Sequence, residues 1–368
     1  MYVRDVALAL RRRAHEVTVY TPQPGPLATE LQRNGIRVFC RARAIGSGFD
    51  VIHGHHDTPT MDALRAAAGV PALFVVHDER APMDDPPRHP RLRRYVAVGR
   101  NTRERLEAAG IDDAACSIIG NGVDLSRFAA RTEPLPARPR RALVFSNYAH
   151  AGTHLPVLQR ACDAEGVAVD VMGHAAGASC EAPEQELAKY DIVFAKGRAA
   201  TEASAVGAAV VVCDAWGLGP MVTGDNVQEV RRWNFGMRLM TDPLDVDGVR
   251  RRIAGYEPAA ARAASLWIRQ HADLERTVDA LISLYRDVVR DKASSVDVAA
   301  ENDAWRAHLA RTRGRRLRAA LLRSPMLGPA LSAAARALGV VQITALPASR
   351  GVVSASSRRA APERMRRS

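Results

Sequence analysis

Lys196, Gly197, Arg198 and Glu202 lie close together in the stretch Asp191–Thr223, DIVFAKGRAATEASAVGAAVVVCDAWGLGPMVT. The apolar run DIVFA reads as a strand that turns at Lys196-Gly197-Arg198 into a Gly- and Ala-rich helix. Such a turn aims free backbone N–H groups and the positive end of the helix dipole at an anion. Lys196 and Arg198 add two cations suited to a diphosphate. Glu202, one turn into the helix, is placed to accept hydrogen bonds from a sugar diol, as acidic residues do in nucleotide sites of doubly wound folds. Ala203, Ser204, Ala205 and Gly207 are small enough for the helix to approach the sheet closely. After the next strand, Gly217 and Gly219 could supply further backbone donors at the same mouth. A second chemical cluster is His53-Gly54-His55-His56-Asp57, in which His53 and His55 alternate onto one face of a strand end.

These groups sit in a chain that alternates short apolar strands with amphipathic helices. A helix over 2–13 precedes strand 15–21, followed by a helix near 26–34 and strands 36–39 and 50–55. Next come a helix near 58–68, strand 71–78, a Pro-rich loop at 82–90, strand 95–99, a helix over 101–109 and strand 116–120. After a Pro- and Arg-rich linker at 131–140 the alternation restarts with strand 142–147, a helix near 153–164, strand 167–173 and the two strands around Glu202. Helices at 245–254 and 259–289 close it. The pattern predicts α/β architecture with parallel sheets in two Rossmann-like halves facing a cleft. The expected domains are 1–130, with 131–140 as linker, 141–290 and a basic tail over 291–368. Ligands then belong outside the carboxyl ends of the strands.

Composition narrows the class. Of 368 residues, 47% are hydrophobic and 25% charged, enough for two ordinary cores. The five cysteines are odd in number and form no CxxC pair, which argues against a disulfide frame or a zinc knuckle. No apolar run reaches the length of a membrane span and no signal-peptide core is visible, so a cytoplasmic protein is expected. The formal charge is +12, of which residues 290–368 carry +11, leaving +1 for the first 289. Anion-seeking character therefore concentrates in the tail, whose leucines 317, 321 and 322 accompany arginines. That composition fits an anionic membrane surface at the inner face of the membrane. Trp305 is the tail's one aromatic residue, so single-stranded nucleic acid is disfavoured.

The segments DVIHGHH (50–56), FVVHD (74–78), YVAVGRNTRERLEAAGI (95–111), SIIGNGVDLSRF (117–128), TEASAVGAAVVVCD (201–214) and ASLWIRQHADLERTVDALISLYRDVV (264–289) occur in the order seen in family-4 GT-B glycosyltransferases, and the whole of 1–289 resembles that family. The resemblance implies a sugar moved, with retention of anomeric configuration, from a UDP- or GDP-linked donor to a glycan, lipid-linked or small-molecule acceptor. It implies a donor site in the second half and an acceptor site in the first, with no bound cofactor. Glu202 matches the glutamate that holds the ribose, and His77 a histidine that reaches the donor sugar. His53, His55, Asp78, Asn121 and Gly122 would line the acceptor side of the cleft. Trp216 and Trp233 read as packing residues.

Three positions depart from the family pattern. Phe194 stands where a glutamate usually contacts the transferred sugar, eight residues before Glu202. The loop SNYAHAGTH (146–154) lacks the family's Arg and Lys, leaving Lys196 and Arg198 to neutralise phosphate. The sequence opens inside the helix that normally follows a first strand and a Gly-Gly loop, which predicts a gap in the first sheet. A degenerate, non-catalytic relative fits these departures. The histidine run also resembles the His-x-His-x-Asp-His ligands of metallo-β-lactamase-fold hydrolases, but its last position is Thr58. Alternatively, Asn121-Gly122 fits a simple turn, Lys196 and Arg198 a solvated rim, and Glu202 a cap of its own helix.

Overall fold

The computed structural model of the protein describes residues 1–291 and 297–323. The first half carries α1 (Tyr2–Arg12), β1 (Thr18–Tyr20), α2 (Pro26–Arg33), β2 (Arg37–Phe39), β3 (Ile52–His55), α3 (Asp57–Ala66), β4 (Ala72–Val76), β5 (Leu92–Ala97), α4 (Arg100–Ala108) and β6 (Cys116–Ile118). The second half carries β7 (Arg141–Phe145), α5 (Leu155–Ala164), β8 (Ala168–Met172), α6 (Pro183–Glu186), β9 (Ile192–Ala195), α7 (Gly197–Val206), β10 (Ala209–Asp214), β11 (Gly217–Met221), α8 (Val227–Arg232) and α9 (Val246–Ala254). Two long helices follow, α10 (Pro258–His271) and α11 (Leu274–Arg290), and then α12 (Val298–Arg323). The expected helix 326–340 and the end of the tail lie outside the described residues.

Two main sheets result, ordered β3-β4-β5-β6 and β11-β10-β9-β7-β8. Every pairing in them is parallel except β10 with β11. The β1–β2 ladder is parallel and joins neither sheet, so the backbone pairing of the first half is interrupted between β1 and β3. In β9 successive side chains serve opposite faces. Val193 and Ala195 pack with α7 residues Ala200 and Ala203, whereas Ile192 and Phe194 pack with α5 residues Leu158 and Cys162. With both faces covered, β9 reads as a continuous apolar run.

The structure differs from the sequence reading at two elements. The single helix expected over 259–289 is broken at Ala272-Asp273, where the segment after β6 inserts. Val123 donates to Ala272 O at 2.8 Å, Leu274 donates to Val123 O at 2.9 Å, and the Asp273 side chain caps α11 through Glu275 N. Strand β11 was not foreseen, because Gly217, Gly219 and Pro220 are weak strand formers. Contact with β10 imposes it.

Candidate active site

Helix α7 begins where β9 ends, with Lys196 as N-cap and Gly197 at φ +56°, a left-handed conformation that favours glycine. Gly207 closes the helix at φ +102°, its N–H bonded to Ala203 O and Ser204 O. Arg198 and Glu202 lie one turn apart on one face, and the Arg198 Nε donates to Glu202 Oε1 at 2.6 Å. The other arm of the guanidinium is paired with Asp5 of α1. Asp5 is also reached by Arg4 at 2.6 Å and by Arg127 at 3.3 Å, and Arg127 continues to Glu184 at 2.8 Å. Asp5 and Glu202 are only 2% and 3% exposed. The charges of Arg4, Asp5, Arg127, Glu184, Arg198 and Glu202 balance, so the mouth of α7 is filled by its own side chains and Asp5 occupies the Arg198 position open to an anion.

Burial dominates the acidity of this cluster. It raises the Glu202 carboxyl above its ordinary value against the pull of Arg198. For Arg198, burial pulls the other way, yet Glu202 and Asp5 outweigh it and hold the guanidinium more basic than usual. The solvated-rim reading does not fit Arg198, since the side chain is only 17% exposed and doubly paired. Glu202 spends its carboxylate on Arg198 and does not cap its own helix.

Lys196 leads elsewhere. Its ammonium pairs with Asp214 at the end of β10 and lies 5.3 Å from the centre of the Tyr148 ring, in the loop after β7. Asp214 is buried, and its Oδ1 accepts the Ala215 N–H at 2.8 Å. Lys196 and Arg198 thus diverge from one helix start, the first toward β10 and the second toward α1. Gly217 and Gly219 form the stem of β11. A Cβ at Gly217 would lie 3.0 Å from Met240 O, and at Gly219 3.0 Å from Leu239 O, so close packing explains both glycines. Phe194 is 1% exposed inside β9, and a side chain there reaches the core and no ligand.

The histidines form a second cluster at the carboxyl ends of β3 and β4. His53 Nδ1 lies 2.6 Å from the Tyr285 hydroxyl, and His55 Nδ1 lies 2.8 Å from His77 Nε2. The His53 and His55 rings are 4.4 Å apart, the His55 and His77 rings 5.0 Å, and Tyr2 meets His77 edge-on at 4.7 Å. Burial is the first cause that lowers all three, His53 to about 4 and His77 to about 3, with His55 also far down. The Arg198 charge contributes at His77, so the two clusters sense each other. The imidazoles are neutral at pH 7 and bond to each other or to tyrosine. Among the described residues no three His, Cys, Asp or Glu side chains are grouped to hold a metal ion. The His-x-His run does not form the ligand set of the metallohydrolase reading.

On the first-half side, Asp78 is a scaffold. Its Oδ1 accepts the N–H groups of Arg80 and Ala81, both at 2.7 Å, and its own N–H donates to Asp84. Asn121 donates from Nδ2 to Asn234 Oδ1 at 3.2 Å, linking the segment after β6 to the end of α8. A Cβ at Gly122 would lie 2.5 Å from Leu274 Cα, so this glycine allows the insertion between α10 and α11 and does not serve a left-handed turn. Trp216 corrects the packing expectation. It is 66% exposed at the tip of the β10–β11 hairpin, because the two-residue turn points it away from both cores. Asp5 and Arg80, which sequence reasoning missed, carry no local signal of these contacts, since Arg198 and Trp216 are 193 and 136 positions away from them.

Two parallel sheets, with charged and polar groups gathered at the carboxyl ends of their strands, define a GT-B-type α/β protein. Residues 1–127 match the family described as Glycosyltransferase Family 4. No curated protein matches the chain. Among solved structures, a glycosyltransferase from Rickettsia africae aligns at 13% identity over 78% of this chain and 94% of its own, with a TM-score of 0.56. Anabaena HepE, solved with UDP-glucose, aligns at 14% identity over 77% and 94% with a TM-score of 0.54. Sucrose-phosphate synthase from Thermosynechococcus elongatus aligns at 13% over 78% and 93%, TM-score 0.51. At these identities the structural likenesses speak for the fold. The chain has the GT-B fold, and its first 127 residues are similar to glycosyltransferase family 4.

Proposed function

We propose that the protein transfers a sugar from a nucleotide-diphosphate donor to a carbohydrate-bearing or small-molecule acceptor, with retention of anomeric configuration. Residues 141–290 bind the donor and residues 1–130 present the acceptor. The observation that carries this reading is the start of α7 at the carboxyl end of β9. There Lys196 and Arg198 flank the helix N-terminus on two sides, and a buried Glu202 lies one turn in beside Arg198. HepE, of the same fold, is solved with UDP-glucose, UDP, and UDP with glucose.

In this scheme a donor phosphate takes the place of the Asp5 carboxylate on Arg198. Asp5 keeps Arg4 and Arg127, so the exchange leaves no buried charge unpaired. Backbone donors and cations held in place before reaction then stabilise the departing nucleoside diphosphate. Glu202, still paired through Oε1 with Arg198 Nε, accepts from the ribose hydroxyls. His77 is neutral, which suits a hydrogen bond to the donor sugar and not ionic contact with phosphate. The degenerate, non-catalytic reading draws on Phe194, whose core position removes the usual sugar-contacting carboxylate. A thermal-shift screen against UDP, GDP and their sugars separates these readings, followed by a transfer assay with each donor that binds. A stabilising nucleotide without turnover favours the degenerate relative, and no stabilisation by any nucleotide refutes the donor site.

The basic tail is assigned to an anionic membrane surface at the cytoplasmic side. Leu317 is 60% exposed on α12, consistent with such contact. Among the described residues no helix is long and apolar enough to cross a membrane. Flotation with anionic and neutral vesicles tests this, and equal recovery with both contradicts it.

A further inference from the structure

Trp216 and Arg80 meet from two rigid loops. Trp216 sits at the tip of the hairpin joining β10 and β11, whose closing pair is Asp214 with Gly217. Lys196 and the Ala215 N–H hold Asp214, and Met240 O and Asp242 O leave no room for a side chain at Gly217. Arg80 follows β4 in a loop pinned by the Asp78 side chain from within. From outside, Arg105 donates to Asp78 O at 2.7 Å and to Ala81 O at 2.9 Å. Both loops leave the carboxyl ends of parallel strands, where ligands bind in open α/β sheets.

The two side chains have few partners of their own. Among the described residues Trp216 is the most exposed large apolar side chain, at 66%. The Arg80 guanidinium lies 5.0 Å from the centre of the indole and, among the described residues, makes no ion pair and no side-chain hydrogen bond. Most arginines nearby are otherwise engaged: Arg105 with Asp85, Arg198 with Asp5 and Glu202, Arg238 with Glu104. An exposed indole offers a flat face to the C–H surface of a pyranose, and a free guanidinium offers paired donors to phosphate or carboxylate. Both side chains lie outside the hydrophobic clusters.

From this juxtaposition we infer that Trp216 and Arg80 form the acceptor subsite, selecting a carbohydrate that bears an anionic group, with the pyranose against the indole and the anion on the guanidinium. This deepens the glycosyltransferase reading and rests on it for the word acceptor; the binding site itself does not. The hairpin joins the subsite to the donor mouth through Asp214 and Lys196, which places the two ligands side by side.

The test is calorimetric titration of the full-length protein with glucose 1-phosphate, glucose and inorganic phosphate, each with and without saturating UDP. The sugar phosphate should bind about tenfold more tightly than either fragment, a difference that W216A and R80Q should each erase while W216F keeps most of it. Because both side chains are exposed, the unfolding midpoint and the affinity for UDP should stay unchanged in all three variants. Phosphate binding as well as the sugar phosphate, or W216A and R80Q binding it like wild type, overturns the inference. Failure of UDP to bind while the sugar phosphate still depends on Trp216 and Arg80 would sink the donor reading alone.

Discussion

Replacing Arg198 by Met tests the ionic core of the site. Asp5 would keep Arg4 and Arg127, but Glu202, 3% exposed, makes no other ion pair among the described residues and would keep only the weaker pull of the N-terminal ammonium. Stranding one partner of a buried pair costs about 3–5 kcal/mol. The cost depends on pH in a definite direction. Burial already raises Glu202 in the folded protein, and loss of Arg198 raises it further. The folded state then holds a proton that the unfolded chain, with a Glu pKa of about 4.3, has released. Between those two values R198M loses stability relative to wild type as pH rises, by at most about 1.4 kcal/mol per pH unit for this one proton. Urea unfolding at pH 5 and pH 7.5 should show a small difference from wild type at the lower pH and a large one at the higher. The double variant R198M/E202Q removes the stranded charge and should recover about 2 kcal/mol of the loss at pH 7.5, within the coupling range for contacting residues. A pH-independent R198M effect, or a double variant no better than the sum of the single changes, would refute the reasoning.

Three other outcomes follow from the same geometry. Phe194→Glu should unfold the protein or cost several kcal/mol, on the order of 3–5, because it places a carboxylate in a sheet core; a folded F194E variant seen by circular dichroism would contradict the placement of that residue. Lys196→Met should weaken UDP binding by about tenfold, as a lost charge-assisted contact does, and unchanged affinity by calorimetry would remove Lys196 from the site. The three stacked histidines are depressed in the folded protein, so they bind fewer protons than the unfolded chain below about pH 6.5. Their stabilising contribution is present above that value and is lost as pH falls toward about 4, most steeply inside the window, where the unfolded histidines are protonated and the folded ones are not; H53F/H77F should flatten this acid limb of the urea midpoint.

Most of the fold was legible because the period of the apolar residues changes from two to three or four at each strand–helix junction. The start of α7 was legible for the same reason, with the residues of the turn adjacent in sequence. The Asn-Gly-Val-Asp segment was visible as a motif, but its role was not. Gly122 serves a close approach to Leu274, a contact 152 positions away that no local pattern announces. Asp5 was hidden likewise: an acid in the first turn of α1 reads as a favourable dipole partner, and only the approach of α7 makes it the counter-ion of Arg198. Trp216 misled because indoles are usually well buried, whereas a two-residue hairpin can point any side chain outward. Phe194 was noticed as a missing carboxylate, and its place in β9 explains the change, since both faces of that strand are covered.

A crystal structure of the protein with UDP puts the account to its most direct test. The diphosphate should lie within hydrogen-bond reach of Lys196 and the first backbone N–H groups of α7, with the ribose hydroxyls on Glu202 and the Asp5 carboxylate displaced from Arg198. UDP bound away from α7, with the Asp5–Arg198–Glu202 cluster intact, would contradict it.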